Sequence, residues 1–285
     1  MQKIWVCGAR GQIGQAVNDF VDKLEFEMLD TDVDDLDVTD TDEVLRFGEM
    51  NRPDIIINCS GMTDISSCEE NPSQAFKVNA LGARNLAIVA AKMQAKMVQL
   101  STDDVFDGKS TEPYTEFDIT NPGTVYGKSK LAGENYVKEF TTKHFIVRST
   151  WVYGKGQNFI NGFLKKVDAG EQLSIASDQF GSPTSANELA RFLLHLVHTS
   201  EYGTYHATNK GVCSRYAFAQ EILKMTGKTA SMQPVPTVMS DFSKVRPAYA
   251  VLDNFIMSMV PIYDFPDWQD SLREYLEERG LYHAE

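Results

Sequence analysis

The sequence predicts an α/β protein with a doubly wound parallel sheet and a smaller C-terminal lobe, and three observations carry that prediction. Short apolar runs alternate with helix-length segments through about the first 150 residues, a glycine-rich turn follows the first run, and turn-rich stretches replace this rhythm after about residue 155. Continuous apolar runs signal strands covered on both faces, because a strand with one wet face alternates polar and apolar residues.

The first run, KIWVCG at 3–8, is followed by Ile13, Val17, Phe20 and Val21, which fall on one face of a helix. FEMLD at 26–30 reads as the second strand. The acidic DVTDTDE that follows reads as a helix start, with Thr39 or Asp40 as cap and carboxylates favoured by the helix dipole. DIIINCSG at 54–61 is the third strand, and 73–94, with Phe76, Leu81, Leu86 and Ile88, reads as helix. KMVQLSTDD at 96–104 and HFIVRST at 144–150 are strands flanking a helix over 126–140. Beyond them GSPT, YGTYHATNKG and QPVPTV separate helices near 186–198 and 214–226, and LREYLEERG is an amphipathic helix. Residues 1–155 are expected to form a nucleotide-binding domain onto which 186–204 folds back, and 156–285 mainly a substrate-binding lobe.

The 285 residues carry a formal charge of −13, which argues against nucleic acid or an anionic membrane as partner. Neither a run of 18 apolar residues nor a charged leader before an apolar stretch is present, so no membrane span or signal peptide is expected. Cys7, Cys59, Cys68 and Cys213 lack CxxC spacing and read as reduced thiols of a cytoplasmic protein. His195 and His198 have no third ligand nearby, so no metal is expected.

VCGARGQIG sets Gly8, Gly11 and Gly14 between the first strand and the first helix. Glycine there lets the backbone turn sharply and approach a pyrophosphate, which the helix N-terminus stabilises. The G-x-x-G-x-x-G spacing, in its strand–turn–helix setting, points to a Rossmann dinucleotide site. Asp32 or Asp30, 21 and 19 residues after Gly11, would accept a hydrogen bond from a ribose 2′-hydroxyl, as NAD requires. Arg10 would instead pair with the 2′-phosphate of NADP, and the sequence leaves both open.

VYGKSKLAGE places Tyr126 and Lys130 one helical turn apart. A tyrosine hydroxyl ionises near roughly pH 10, and a cation within ~4–6 Å lowers that by roughly 1–3 units, which makes proton transfer to a carbonyl oxygen practical. Such a pair is common by chance. Its position between the strand carrying Ser101 and Thr102 and the strand VRST brings all three to the carboxyl edge of a parallel sheet, where ligands bind.

The glycine loop, the Ser-Thr strand end and Tyr-x-x-x-Lys, in this order, resemble the extended short-chain dehydrogenase/reductase family. More narrowly, STDDVFDG, NPGTVYGKSKLAGE, RSTWVYGKGQNF, DQFGSPT and VRPAYAVLDN are similar to the dTDP-4-dehydrorhamnose reductases, along essentially the whole chain. The resemblance implies NADPH or NADH as cofactor and a nucleotide-diphosphate-linked 4-keto-6-deoxy sugar as substrate. It implies Tyr126 as proton donor, Lys130 as its modulator and a ribose ligand, and Thr102 as a donor to the sugar carbonyl. Cofactor contacts are implied for Gly8, Arg10, Gly11, Gln12, Ile13, Gly14, Asp32, Asp37, Val38, Cys59, Ser60, Gly61, Thr63, Asn79 and Ser101. Asn79 would support Lys130 through water, a helix-surface amide being the alternative. After Thr63 the family continues Val-Asp where this chain has Ile65 and Ser66. Substrate contacts are implied for Asp104, Val105, Trp151 and Arg246.

Asp103 and Asp104 raise a competing possibility. Nucleotide-sugar 4,6-dehydratases resemble Ser-Thr-Asp-Glu-Val, with the carboxylate pair as acid and base. Asp104 is one methylene, about 1.5 Å, short of that glutamate, and a ~1 Å misplacement can cost roughly 100-fold in rate. The motifs after Tyr126 resemble the reductases, so Asp103 reads as structural and Asp104 as a substitution at the substrate mouth. A non-catalytic, dinucleotide-binding regulatory subunit, of the kind that serves methionine adenosyltransferase, is the third possibility. The sequence leaves open whether the chain forms a homodimer.

Overall fold

The computed structural model describes residues 1–239 and 248–283. Its first part runs β1 (Gln2–Cys7), α1 (Gln12–Phe20), β2 (Phe26–Thr31), α2 (Thr41–Asn51), β3 (Ile55–Asn58), α3 (Ile65–Glu70), α4 (Pro72–Phe76), a π-helical turn (Lys77–Gly82), α5 (Ala83–Met93), β4 (Lys96–Thr102), a 3-10 turn (Asp103–Val105), α6 (Val125–Phe140) and β5 (His144–Ser149). Then come β6 (Val152–Tyr153), α7 (Phe159–Asp168), β7 (Leu173–Ala176), β8 (Phe180–Gly181), β9 (Thr184–Ser185), α8 (Ala186–Leu196), β10 (Gly203–His206), β11 (Cys213–Ser214), α9 (Arg215–Thr226), β12 (Met232–Val235), α10 (Phe255–Met259) and α11 (Trp268–Glu278).

Six of these strands form one sheet in the order β10-β5-β4-β3-β1-β2, every pair parallel. Alternation along each strand divides its side chains between two layers. Ile4, Val6, Ile55, Ile57, Val98, Leu100, Phe145 and Val147 enter one cluster, with α1 and α8. Trp5, Cys7, Ile56, Met97 and Ile146 enter another, with Leu86, Ala90 and Val137 of α5 and α6. Burying one such aliphatic side chain contributes roughly 1.5–3 kcal/mol, so apolarity on both sides of each strand stabilises both layers.

One helix was expected across 73–94, but the chain forms α4, a π-turn and α5 there. The extra residue of the π-turn turns Asn79 inward, where it is 2 % exposed and bonds to Met62 and Ser129. A polar side chain held by tertiary bonds thus overrides the regular helix. At the start of α2 it is Asp40, not Thr39, that caps, accepting from the Asp42 and Glu43 amides at 3.0 Å each.

The later residues build a third cluster around Tyr153, Phe163, Ile175, Phe218, Trp268 and Leu272. Three polar side-chain ties among the described residues join α8 to the C-terminal segment: Arg191 pairs with Glu274 at 2.5 Å, Asn187 donates to Glu278 at 3.1 Å, and the Tyr263 hydroxyl donates to Glu188 at 2.9 Å.

Candidate active site

β2 and β3 leave β1 on opposite sides, so the strand order reverses there, and open parallel sheets bind ligands outside the strand ends at such a point. A cavity of about 430 Å³ opens at that place, lined by Gly8, Gly11, Asp32, Asp37, Val38 and Gly61, with Cys59, Ser60, Gln74 and Val78 beside them. Gly8 has φ +77°, and a Cβ on it would stand 2.8 Å from the Ser60 nitrogen. A Cβ on Gly14 would stand 2.4 Å from the Gly8 carbonyl oxygen. The turn therefore depends on glycine at both positions. Gly11 caps α1 without a side-chain bond, and the first turn of α1 has no acidic residue, so its amides face the cleft free of a competing carboxylate.

Gln12 is turned to the Gln157 carbonyl at 2.9 Å, and Ile13 packs on the sheet cluster. Arg10 is exposed, its guanidinium held by Asp34 and Asp35 at 2.7 Å each, which keeps its pKa above the ordinary arginine value. Thr63 is exposed, with its methyl near Gly61. Val38 borders the π-turn: a Cβ on Gly82 would lie 2.8 Å from it.

α6 begins at a Thr124 cap, whose hydroxyl accepts the Gly127 amide at 2.9 Å. Its first turn lies directly on the backbone of Asp104, since a Cβ on Gly127 would come within 2.0 Å of that carbonyl oxygen. Tyr126 and Lys130 are both buried on this helix. The space beside Gly61 locates the ammonium: a Cβ there would sit 3.1 Å from Asn79 Oδ1 and 3.7 Å from Lys130 Nζ. Burial brings the Lys130 pKa down to about 8, opposed by the Glu134 carboxylate and Cys59. Burial likewise pushes the Cys59 thiol up to about 12, opposed by Lys130. Asn79 bonds the Met62 amide at 2.8 Å and the Ser129 hydroxyl at 2.9 Å, so it joins the cavity wall to α6.

At the end of β4, Thr102 donates to Asp103 at 2.9 Å and accepts the Asp104 amide at 3.2 Å. Ser101 does not reach toward the cavity; its hydroxyl bonds Glu134 at 2.6 Å. Asp104 is 1 % exposed, enclosed by the start of α6, and Val105 packs with Phe106, Tyr114 and Leu252. Trp151 belongs to the cluster of the later residues, has φ +47°, and carries the Arg215 guanidinium 3.4 Å over its ring. Arg246 lies outside the described residues.

A reversal point with a glycine cradle, and a buried Tyr-Lys helix at the same sheet edge, make a cleft suited to a dinucleotide and a carbonyl compound. The family model described as RmlD substrate binding domain matches residues 1–280. The dTDP-4-dehydrorhamnose reductase of Aggregatibacter actinomycetemcomitans is 32 % identical, covering 96 % of this chain and 98 % of that protein. The chain belongs to the dTDP-4-dehydrorhamnose reductase family. A crystal structure of the Clostridium acetobutylicum dTDP-4-dehydrorhamnose reductase superposes with a TM-score of 0.95 at 40 % identity, covering 98 % of this chain and all of that one. The Bacillus anthracis dTDP-4-dehydrorhamnose reductase, solved in complex with NADP, gives 0.94 at 35 %, with 98 % and 100 % covered.

Within this dTDP-4-dehydrorhamnose reductase family member, sequence reasoning missed the residues that brace the site. Glu134 and Arg148 form a buried pair behind Ser101. An arginine inside the apolar run HFIVRST was the available signal, because a buried cation must find a partner. Ser129 bridges Asn79 and the Tyr126 carbonyl, and nothing in its spacing announced that. Arg215 reached Trp151 from 64 positions away, a contact only the fold supplies.

Proposed function

We propose that this chain reduces the 4-keto group of a nucleotide-linked 4-keto-6-deoxy sugar with NADPH or NADH, converting dTDP-4-dehydrorhamnose to dTDP-L-rhamnose. The observation that carries the reading is the burial of Tyr126 and Lys130 together on α6, with the ammonium beside Gly61 at the edge of the glycine-lined cavity. Both crystal structures compared above bear the name of that reductase, and one was solved with NADP.

The residues fit a dinucleotide: Gly8, Gly11 and Gly14 leave room for a pyrophosphate against the α1 N-terminus, and Asp32 stands after β2. Gln12, Ile13, Asp37, Val38, Cys59, Ser60, Gly61 and Thr63 form the rest of its cradle, with Asn79 and Ser101 bracing it from behind. When bound, the cofactor supplies hydride to the sugar's C4. Tyr126 gives its phenolic proton to the C4 oxygen, and the Lys130 ammonium stabilises the phenolate left behind. The Thr102 hydroxyl, on turning from Asp103, donates to the carbonyl and orients it. Residues 1–155, with 186–204 returning to them, hold the dinucleotide, and 156–285 supply most of the sugar lobe, with Trp151 of the first segment packed against it and Arg246 as a further substrate contact.

Among the described residues no helix is long and apolar enough to cross a membrane. The reading implies a cytoplasmic enzyme, and sedimentation of the purified protein tells monomer from homodimer. The function is tested by mixing protein, the keto sugar and reduced cofactor: loss of the reduced-cofactor absorbance is expected, together with its abolition in Tyr126→Phe. No turnover with either cofactor, or full turnover by Tyr126→Phe, overturns it.

A further inference from the structure

We infer that the cleft is built for NADH and discriminates against NADPH, through the carboxylates that surround Arg10. The inference rests on the dinucleotide reading above and adds a choice that the reading leaves open.

The site is a cavity of about 500 Å³ beside the glycine loop, lined by Arg10, Gln15, Asn18, Asp30, Asp32 and Asp35 together with Ala9. Asp32 also borders the neighbouring 430 Å³ cavity, so it lines both spaces. This is the end of β2, where a dinucleotide bound at the α1 N-terminus sets its adenosine ribose.

Asp32 is held in place by the backbone. Its Oδ2 accepts the Arg10 amide at 2.8 Å and its Oδ1 the Val33 amide at 2.9 Å. Each carboxylate oxygen has a second lone pair, so Asp32 can still accept from a ribose hydroxyl. A 2′-hydroxyl satisfies that acceptor. A 2′-phosphate cannot: it brings only acceptors and added negative charge to Asp30, Asp32 and Asp35.

Arg10 is the single cation among the residues lining this cavity, and it is already committed. Its Nη1 pairs with Asp34 and its Nη2 with Asp35, both at 2.7 Å, and Asp35 Oδ2 also accepts the Asp32 amide at 3.0 Å. Arg10 keeps N–H groups free beyond these two bonds, but a 2′-phosphate that reached them would lie beside Asp34 and Asp35, which already offset the arginine's charge. The relative solved with NADP means that the fold does not exclude the phosphate. Discrimination here is local and electrostatic.

The test is direct titration of the full chain with NADH and with NADPH, followed by nicotinamide fluorescence and without sugar. At low salt NADH is expected to bind at least roughly tenfold more tightly, about 1.4 kcal/mol, and added salt narrows the gap by screening. In Asp34→Asn/Asp35→Asn, with both positions exposed so that folding persists, Arg10 is released and the gap closes or reverses. Equal or tighter NADPH binding by the unaltered protein overturns the inference, as does a gap unchanged in the double variant. Binding of neither nucleotide overturns the dinucleotide reading itself, and the preference with it.

Discussion

Arg148 donates twice to Glu134, Nε to Oε1 at 2.9 Å and Nη2 to Oε2 at 2.7 Å, with the two side chains 3 % and 0 % exposed. Glu134 stands one turn after Lys130 on α6, and Arg148 pairs in register with Ser101 across β4 and β5. The pair, with the Ser101 hydroxyl, therefore fastens the helix of Tyr126 to the strand of Thr102. Removing one partner strips the other buried charge of its closest counter-ion. Glu134→Gln or Arg148→Met should each lose about 3–5 kcal/mol of stability in denaturant titration, whereas Glu134→Leu with Arg148→Met should lose less.

Lys130 gives a second expectation. Its pKa, brought down to about 8 by burial, lies below that of an unfolded lysine, so the folded chain holds fewer protons between about pH 8 and the unfolded value near 10.5. The cost of burying the charge is full below pH 8 and fades as pH rises through that window. Lys130→Met should thus be more stable than the parent at pH 7, by roughly 2–4 kcal/mol, with the advantage shrinking toward pH 10. Parent turnover should fall as pH rises through about 8, when the ammonium is lost, and a kcat profile measures this.

His206 predicts sensitivity at the acid end. Burial, reinforced by the Arg148 cation, brings its pKa down to about 3, and its Nδ1 lies 3.0 Å from the Tyr114 carbonyl and 3.1 Å from that of Asp253. The ring is therefore neutral, donating from Nδ1. The unfolded chain takes up a proton near pH 6.5 and the folded chain does not, so this stability is complete above 6.5 and lost progressively toward pH 3. His206→Asn keeps a donor for the carbonyls. Its unfolding free energy should decline less steeply than the parent's between pH 6.5 and 4.

Gly8→Ala tests the cradle. With φ +77° and the Ser60 nitrogen 2.8 Å from the new methyl, the turn must open. The variant should lose roughly 1–3 kcal/mol of stability and bind either dinucleotide at least roughly tenfold more weakly by titration.

What could be read from sequence was whatever depends on neighbours along the chain. Ile4 to Cys7 and Ile55 to Ile57 declared strands wet on neither face, Gly8, Gly11 and Gly14 declared a turn before a helix, and Tyr126 with Lys130 declared a shared helix face. What could not be read depends on contacts across the fold. Asn79 breaks a regular helix because Met62 and Ser129 hold its amide, and neither lies within ten residues of it. The commitment of Arg10 to Asp34 and Asp35 depends on β1 and β2 lying side by side. Arg10 alone had suggested a phosphate.

The return of α8 to the α1 side of the sheet has a consequence during synthesis. A nascent chain that has emerged through Ser149 possesses five of the six strands, yet Val98, Leu100, Phe145 and Val147 lack the helix that shields them until Leu196 follows, and β5 lacks its outer neighbour until His206. At the roughly 5–20 residues per second of translation, that greasy surface waits bare for several seconds. The ribosome-bound intermediate is thus the form most exposed to clumping, and the one a chaperone would meet.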